Sequence, residues 1–284
     1  MRAENLMQLQ QRTEKCSVGC PVLDRCLGGG VPCNSVTELV GESGSGKTQL
    51  CLQLVLSAQL PPSGGGLSAS SIYIHTEFPF PFRRLRQLSR AFRSSHPNLS
   101  CSDPCDRVFL RAVHSADELV DLIPTIETFL LHSRSQWRPV RVVVIDSIAA
   151  LFRSDFENTG WDLRRRSSLF FKISGGLRWL AKKYGLAVVV TNQVVDLIGD
   201  DVRIGNLGGL CSSGRRVCPA LGLAWAHCVN SRLFLSKDEF VVDGNHHPLK
   251  TRRMSVVFAP HLPHSSSDFV ITREGVFGLE MQRV

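Results

Sequence analysis

Gly41-Glu42-Ser43-Gly44-Ser45-Gly46-Lys47-Thr48 fits the pattern G-x-x-x-x-G-K-[ST] in full. Glycines at this spacing let the backbone curl until its N–H groups face phosphate oxygens. Lys47 then supplies a point charge to the β- and γ-phosphates, and the Thr48 hydroxyl is a ligand for Mg²⁺. Three more polar side chains stand at the ends of apolar runs: Glu77 after SIYIHT, Asp146 at the end of RVVVID and Gln193 at the end of LAVVVTNQ. An Asp there can hold Mg²⁺ through water, or simply cap the helix that follows. A Glu can polarise an attacking water, or be a surface residue at a strand end. A Gln can hydrogen-bond a γ-phosphate and pass its state to the next loop, or be a polar residue at a loop edge. The phosphate loop upstream favours the metal role for Asp146. The histidines form no H-x-x-x-H pair, and no Ser-His-Asp layout can be argued from them.

These side chains need rigid elements behind them. VTELV (36–40) reads as a buried strand, and the phosphate loop joins it to a helix over 47–59, so the helix N-terminus adds its own positive end. SIYIHT (71–76), RVFLRAV (107–113), RVVVID (141–146) and LAVVVTNQ (186–193) read as further strands. Helices are predicted over 82–95, from Ser115 to about His132, and over about 162–184. Continuous rather than alternating apolar runs predict strands covered on both faces, and alternation of strands with helices predicts a parallel α/β sheet flanked by helices. After Gln193 the texture changes: residues 196–218 are rich in Gly, Asp, Ser and Arg and read as a long mobile loop. Short strands return over 231–236, 253–259 and 268–280, the last a hairpin centred on Glu274-Gly275, and residues 237–251 read as a polar connection. The expected class is α/β with C-terminal antiparallel strands.

The chain has 284 residues, 43% of them hydrophobic, enough to bury a sizeable core. No run reaches the roughly 18 apolar residues of a membrane helix, and the polar N-terminus lacks a signal-peptide core, so a soluble, intracellular chain is expected. Ten cysteines are scattered without paired C-x-x-C knuckles and read as small buried residues. The formal charge of +8 hints at a polyanionic partner. Arginines cluster at 83, 84, 86, 90 and 93, at 164–166 and at 215–216. Arg203, Arg215 and Arg216 sit in the Gly-rich stretch after Gln193, where a basic loop beside a γ-phosphate reader could grip a nucleic-acid backbone.

GESGSGKTQLCLQL, SIYIHTE, RVVVIDSIAALFRSDF and LAVVVTNQV occur in this order, and together they resemble the ATPase core of the RecA/RadA recombinase family. SGRRVCPALGLAWAHCVNSRLFL and FAPHLPHSSSDFVITREGV are similar to eukaryotic recombinase paralogues of the X-ray-repair cross-complementing type, third of the group, and TEFPFPFRRLRQLSRAF to plant members. The resemblance implies a RecA-like P-loop NTPase core using ATP and Mg²⁺. It makes Glu77 the catalytic glutamate and Gln193 the glutamine that couples nucleotide to a second DNA loop at 194–220. Arg84 packs beside the adenine, His227 lies near a subunit interface, and Arg153 and residues 156–166, including Arg165, fall at a first DNA loop. It further implies a weak DNA-dependent ATPase that binds single-stranded or branched DNA and acts in the nucleus. A second recombinase paralogue is the implied heterodimer partner, and the main strand-exchange recombinase is the protein assisted. Membrane is not an expected partner.

Three departures qualify this expectation. Residues 1–15 read as a flexible tail and 16–284 as the core, without the helical DNA-binding domain that precedes it in main recombinases. No linker strand that hooks neighbouring subunits is obvious. Phe258 and Ala259 also stand where main recombinases carry an acidic residue that caps a neighbour's nucleotide. A second reading therefore stays open: a scaffold that binds ATP structurally, without turnover, and acts only as a partner-docking subunit.

Overall fold

The Val- and Ile-rich runs become the middle strands of one nine-stranded sheet. The computed structural model describes residues 13–77, 79–99, 103–135, 139–153, 159–197, 210–237, 241–242 and 248–280. In chain order its elements are β1 (Lys15–Cys16), α1 (Pro21–Cys26), β2 (Val31–Pro32), β3 (Ser35–Gly41), α2 (Lys47–Ser57), β4 (Ser70–His75), α3 (Phe82–Ser95), β5 (Val108–Ala112), α4 (Ala116–Ser135) and β6 (Val140–Asp146). Then follow α5 (Gly160–Tyr184), β7 (Ala187–Asn192), β8 (Val194–Asp196), β9 (Cys211–Ser212), β10 (Arg215–Pro219), α6 (Gly222–Ala226), β11 (Ser231–Lys237), β12 (Val241–Val242), β13 (Pro248–Leu249), β14 (Arg252–Phe258), β15 (Ser266–Ile271) and β16 (Val276–Gly278).

The large sheet runs β16-β15-β14-β11-β3-β7-β6-β4-β5. From β11 to β5 every neighbouring pair is parallel, and β14, β15 and β16 add antiparallel edges. This is the α/β class expected from sequence. Alternate residues of one strand feed opposite cores. Val142 and Val144 of β6 and Val189 of β7 pack with α2 and α3, whereas Val143, Ile145, Val188 and Val190 pack with α4 and α5. Both faces are covered, so neither tolerates polar alternation. On the second face Trp225, Phe170 and Leu177 are fully buried.

Three sequence expectations change. The stretch after Gln193 is not simply a loop: β8, β10 and β9 form a three-stranded antiparallel sheet, with Val217 opposite Asp196 and Arg216 opposite Cys211. These strands are too short for their alternation to stand out from Gly- and Arg-rich sequence. The connection over 237–251 contains the two-stranded β12–β13 pair. Finally, α5 begins at Gly160, inside the stretch expected as the first DNA loop. Thr159 caps it by accepting the Asp162 N–H at 3.1 Å, a T-x-x-D signal passed over in the sequence. Arg203 lies outside the described residues.

Candidate functional site

The carboxyl ends of β3, β4, β6 and β7 open on one side of the sheet, the position where parallel α/β sheets hold ligands. A cleft of about 450 Å³ lies there, and Lys47, Thr48, Glu77, Arg84, Asp146 and Gln193 all line it. The sequence spreads these residues over positions 47–193; strand ends gather all but Arg84, which comes from the first turn of α3.

The phosphate loop leaves β3 at Gly41. A Cβ there would lie 2.4 Å from the Leu235 carbonyl oxygen, so only glycine passes this close to β11. Gly46 ends the loop at φ +106° as the N-cap of α2, a left-handed conformation that side chains rarely adopt. Lys47 follows, 9% exposed, and its ammonium donates to the carbonyls of Gly41 (2.6 Å) and Glu42 (2.9 Å). Burial lowers its pKa, while the Asp146 carboxylate pulls the other way. Ser45 Oγ is buried without a hydrogen-bond partner among the described residues. Ser43, Gly44 and Gly46 line the cleft, whereas the Gly41 and Glu42 side of the loop faces β11 and the β9–β10 hairpin.

Asp146 collects hydroxyl donors: Thr48 (2.7 Å) and Tyr73 (2.6 Å) on one carboxylate oxygen and Thr191 (2.6 Å) on the other. Burial and the Asp146 charge push the Tyr73 phenol well above its usual pKa, which keeps it a donor. Tyr73 and Thr191 escaped sequence reasoning because each sits inside an apolar strand; a hydroxyl near the carboxyl end of a buried strand was the available signal. Among the described residues no group of three or more His, Cys, Asp or Glu side chains gathers as a metal site. A divalent cation here would therefore draw on the Thr48 hydroxyl and Asp146 together with oxygens of its own ligand.

Glu77 stands at the rim, two residues beyond the end of β4. It accepts from the Gln193 side-chain amide at 3.2 Å and pairs with Arg153 at 3.5 Å. Gln193 leads directly into β8, and its carbonyl accepts the Ala220 N–H (2.8 Å), tying both ends of the small sheet to one residue. Arg84 is held by Gln49 (2.7 Å), Gln87 (2.6 Å) and the carbonyls of Thr272 (2.7 Å) and Arg273 (2.8 Å), which fixes it between the cleft and the C-terminal hairpin.

Glu42 turns its carboxylate away from the cleft onto the small sheet. It accepts from the Ser212 hydroxyl (2.6 Å) and the Ser213 hydroxyl, and pairs with Arg215 (3.0 Å) and Lys237 (3.5 Å). Burial alone would raise this carboxyl; the two hydroxyl bonds and the Lys237 charge outweigh it and hold it below the usual glutamate range. Arg215 also forks onto both oxygens of Asp196 at 3.0 and 2.9 Å. Of the other arginines named from sequence, Arg216 is exposed on β10. Arg165 lies on α5, pairs with Asp117 at 2.6 Å and covers the Trp161 ring. His227 is exposed at the end of α6.

Beneath the cleft, Glu38 of β3 is fully buried. It accepts from Arg232 (2.5 Å), Asn192 (2.7 Å) and the Trp225 indole (3.0 Å). The Asn192 side-chain oxygen in turn accepts the Gln193 N–H at 2.8 Å. A buried ion pair thus supports the residue that joins cleft and small sheet.

The Rad51 family profile matches residues 10–279. The chain is 52% identical to the protein named DNA repair protein XRCC3 homolog from Arabidopsis thaliana, covering 99% of this chain and 98% of that protein. It is 36% identical to DNA repair protein XRCC3 from Mus musculus and from Bos taurus, covering 95% of this chain and 76% of each relative.

Proposed function

The chain belongs to the Rad51 family, and we propose that it is a recombinase paralogue of the XRCC3 type that acts in DNA repair by homologous recombination, binding ATP·Mg²⁺ and DNA. The observation that carries the nucleotide reading is the convergence of Lys47, Thr48, Asp146, Glu77 and Gln193 on one cleft. The fit is supported by a buried Ser45 hydroxyl without a partner among the described residues and a buried lysine whose ammonium donates to loop carbonyls. Bound ATP·Mg²⁺ would supply phosphate oxygens and a cation that polarises them.

In this reading the Lys47 ammonium, now on the Gly41 and Glu42 carbonyls, would turn to phosphate, and the loop N–H groups and the α2 N-terminus would complete the cradle. Thr48 and Asp146 are the residues that would hold the cation. Glu77, positioned by Gln193 and Arg153, orients water. Gln193 and Glu42 pass the state of the cleft to the β8–β10–β9 sheet, where Arg215 and Arg216 meet a DNA backbone; Arg153 and Arg165 extend the basic surface, and Arg203, outside the described residues, is assigned to DNA from the sequence alone. The partners we propose are single-stranded or branched DNA, a second recombinase paralogue and the main strand-exchange recombinase, in the nucleus. Among the described residues no helix is long and apolar enough to cross a membrane.

The test is equilibrium binding of ATP·Mg²⁺ to wild type and Lys47→Ala. Loss of the buried ammonium should weaken binding about 100-fold or more, the effect of removing a charge-assisted phosphate contact of about 3 kcal/mol. Equal affinity in the two proteins would remove the cleft from the reading.

A further inference from the structure

Arginines 83, 84, 86, 90 and 93 give α3 five cations in 14 residues, with no acidic side chain. Arg83 and Arg84 stand in the first turn, against the positive end of the helix dipole. Arg83/Arg86, Arg86/Arg90 and Arg90/Arg93 are like-charged at helical contact spacing, and each such pair works against the helix. The C-terminal hairpin absorbs Arg84. Arg83, Arg86 and Arg90 are exposed and form no ion pair among the described residues. Asp103, whose charge is felt by Arg86, is itself engaged by the Ser89 hydroxyl at 3.1 Å and the Cys105 N–H at 2.9 Å.

These three arginines line one wall of a groove of about 1730 Å³ that runs along α3. The facing wall adds Arg273 and Arg25, the latter paired with Glu280 at 2.7 Å. Two carboxylates line the same wall: Asp24 accepts from the Ser17 hydroxyl at 2.6 Å and the Val18 N–H at 2.9 Å, and Glu274, which feels the Arg273 and Arg84 charges, accepts from the Thr272 hydroxyl at 2.9 Å, so cations outnumber carboxylates along the groove. Along α3 the chain thus spends helix stability on Arg83, Arg86 and Arg90, which no carboxylate pairs with among the described residues.

We propose that this groove binds the phosphate backbone of single-stranded DNA, at a site separate from the β9–β10 hairpin. Arg83 to Arg90 spans about two helical turns, about 10 Å, so a polyanion with regularly repeating charge meets all three guanidinium forks. An acidic protein helix would need apolar anchors as well. The leucines of the groove, Leu56, Leu60 and Leu88, are only 1%, 8% and 3% exposed and offer none. The large apolar side chain the groove does expose is Phe277, at 48%, a ring on which a base can stack.

The test uses the full chain, with wild type compared with Arg83→Gln/Arg86→Gln/Arg90→Gln and with the same three positions changed to Lys. The probes are an oligothymidylate and a polyglutamate of matched charge, titrated over a range of salt without nucleotide. The Gln variant should bind oligothymidylate about tenfold more weakly at low salt, with a salt slope reduced by about 2, from three phosphates at about 0.7 each. The Lys variant should keep the slope. The melting temperature of the Gln variant should be unchanged or higher, because like-charge pairs are removed. Combining it with Arg215→Ala/Arg216→Ala should weaken binding further, which separates this site from the hairpin: failure of the hairpin change alone touches only the proposed function. The inference is overturned if the Gln variant keeps wild-type affinity and slope, if it loses polyglutamate binding while oligothymidylate binding is kept, or if its weaker binding comes with a lowered melting temperature that the Lys variant shares.

Discussion

Glu42→Gln is the most informative single change at the join between the cleft and the small sheet. The side chain is 8% exposed and keeps its shape in the variant, so the change isolates charge. Two hydroxyls, from Ser212 and Ser213, point at one carboxylate oxygen. Hydrogen bonds to an ionised acceptor are about twice as strong as neutral ones, so each loses about 1 kcal/mol. Arg215 is 53% exposed and Lys237 34%, so screening limits their combined share to about 1 kcal/mol. The expected cost is about 2–3 kcal/mol, read as a lower urea midpoint at unchanged slope. The pH dependence has a definite sign. A folded-state carboxyl held below its ordinary value stabilises fully above the unfolded pKa of about 4.3 and loses that contribution as pH falls through the folded value. The gap between wild type and variant should therefore be widest near neutrality and close as pH drops below about 4.3. The variant also frees Arg215 from one of its two carboxylates, which should tighten nucleotide-free binding to single-stranded DNA about fivefold, the equivalent of one phosphate contact of about 1 kcal/mol. A gap that stays constant with pH, or DNA binding that weakens in a folded variant, would refute the view of Glu42 as a clasp.

Glu38→Ala leaves the Arg232 guanidinium buried without its partner and should cost about 3–5 kcal/mol in chemical denaturation; Glu38→Leu/Arg232→Met should cost clearly less. Leu177→Ala, at 0% exposure between α5 and the sheet, should cost about 2–5 kcal/mol by the same measurement. Glu77→Gln should leave ATP affinity within about twofold and lower any DNA-stimulated turnover about 100-fold; unchanged turnover would favour the reading in which ATP is held structurally.

The strands and long helices were legible because a sheet covered on both faces writes itself as unbroken apolar runs, as in Val142–Ile145 and Ala187–Val190. The phosphate loop was legible because its backbone path demands glycines at fixed places, as the contact of Gly41 with Leu235 shows. Tyr73 and Thr191 were hidden because their hydroxyls ride on strands whose residue types follow burial. The β8–β10–β9 sheet was hidden for the opposite reason: its strands are short, and what fixes it is a long-range set of contacts to Glu42. A pair such as Arg215 and Glu42, 173 residues apart, leaves no periodic trace.

The central claim is that one cleft reads nucleotide and sets the hold of the small sheet on DNA. The most direct measurement is the affinity of wild type and Gln193→Ala for an oligothymidylate, each with and without ATP·Mg²⁺. Wild type should bind more tightly with nucleotide, and Gln193→Ala should bind ATP normally yet show the same DNA affinity in both conditions. A nucleotide effect that survives intact in Gln193→Ala, or none in wild type with ATP bound, would contradict it.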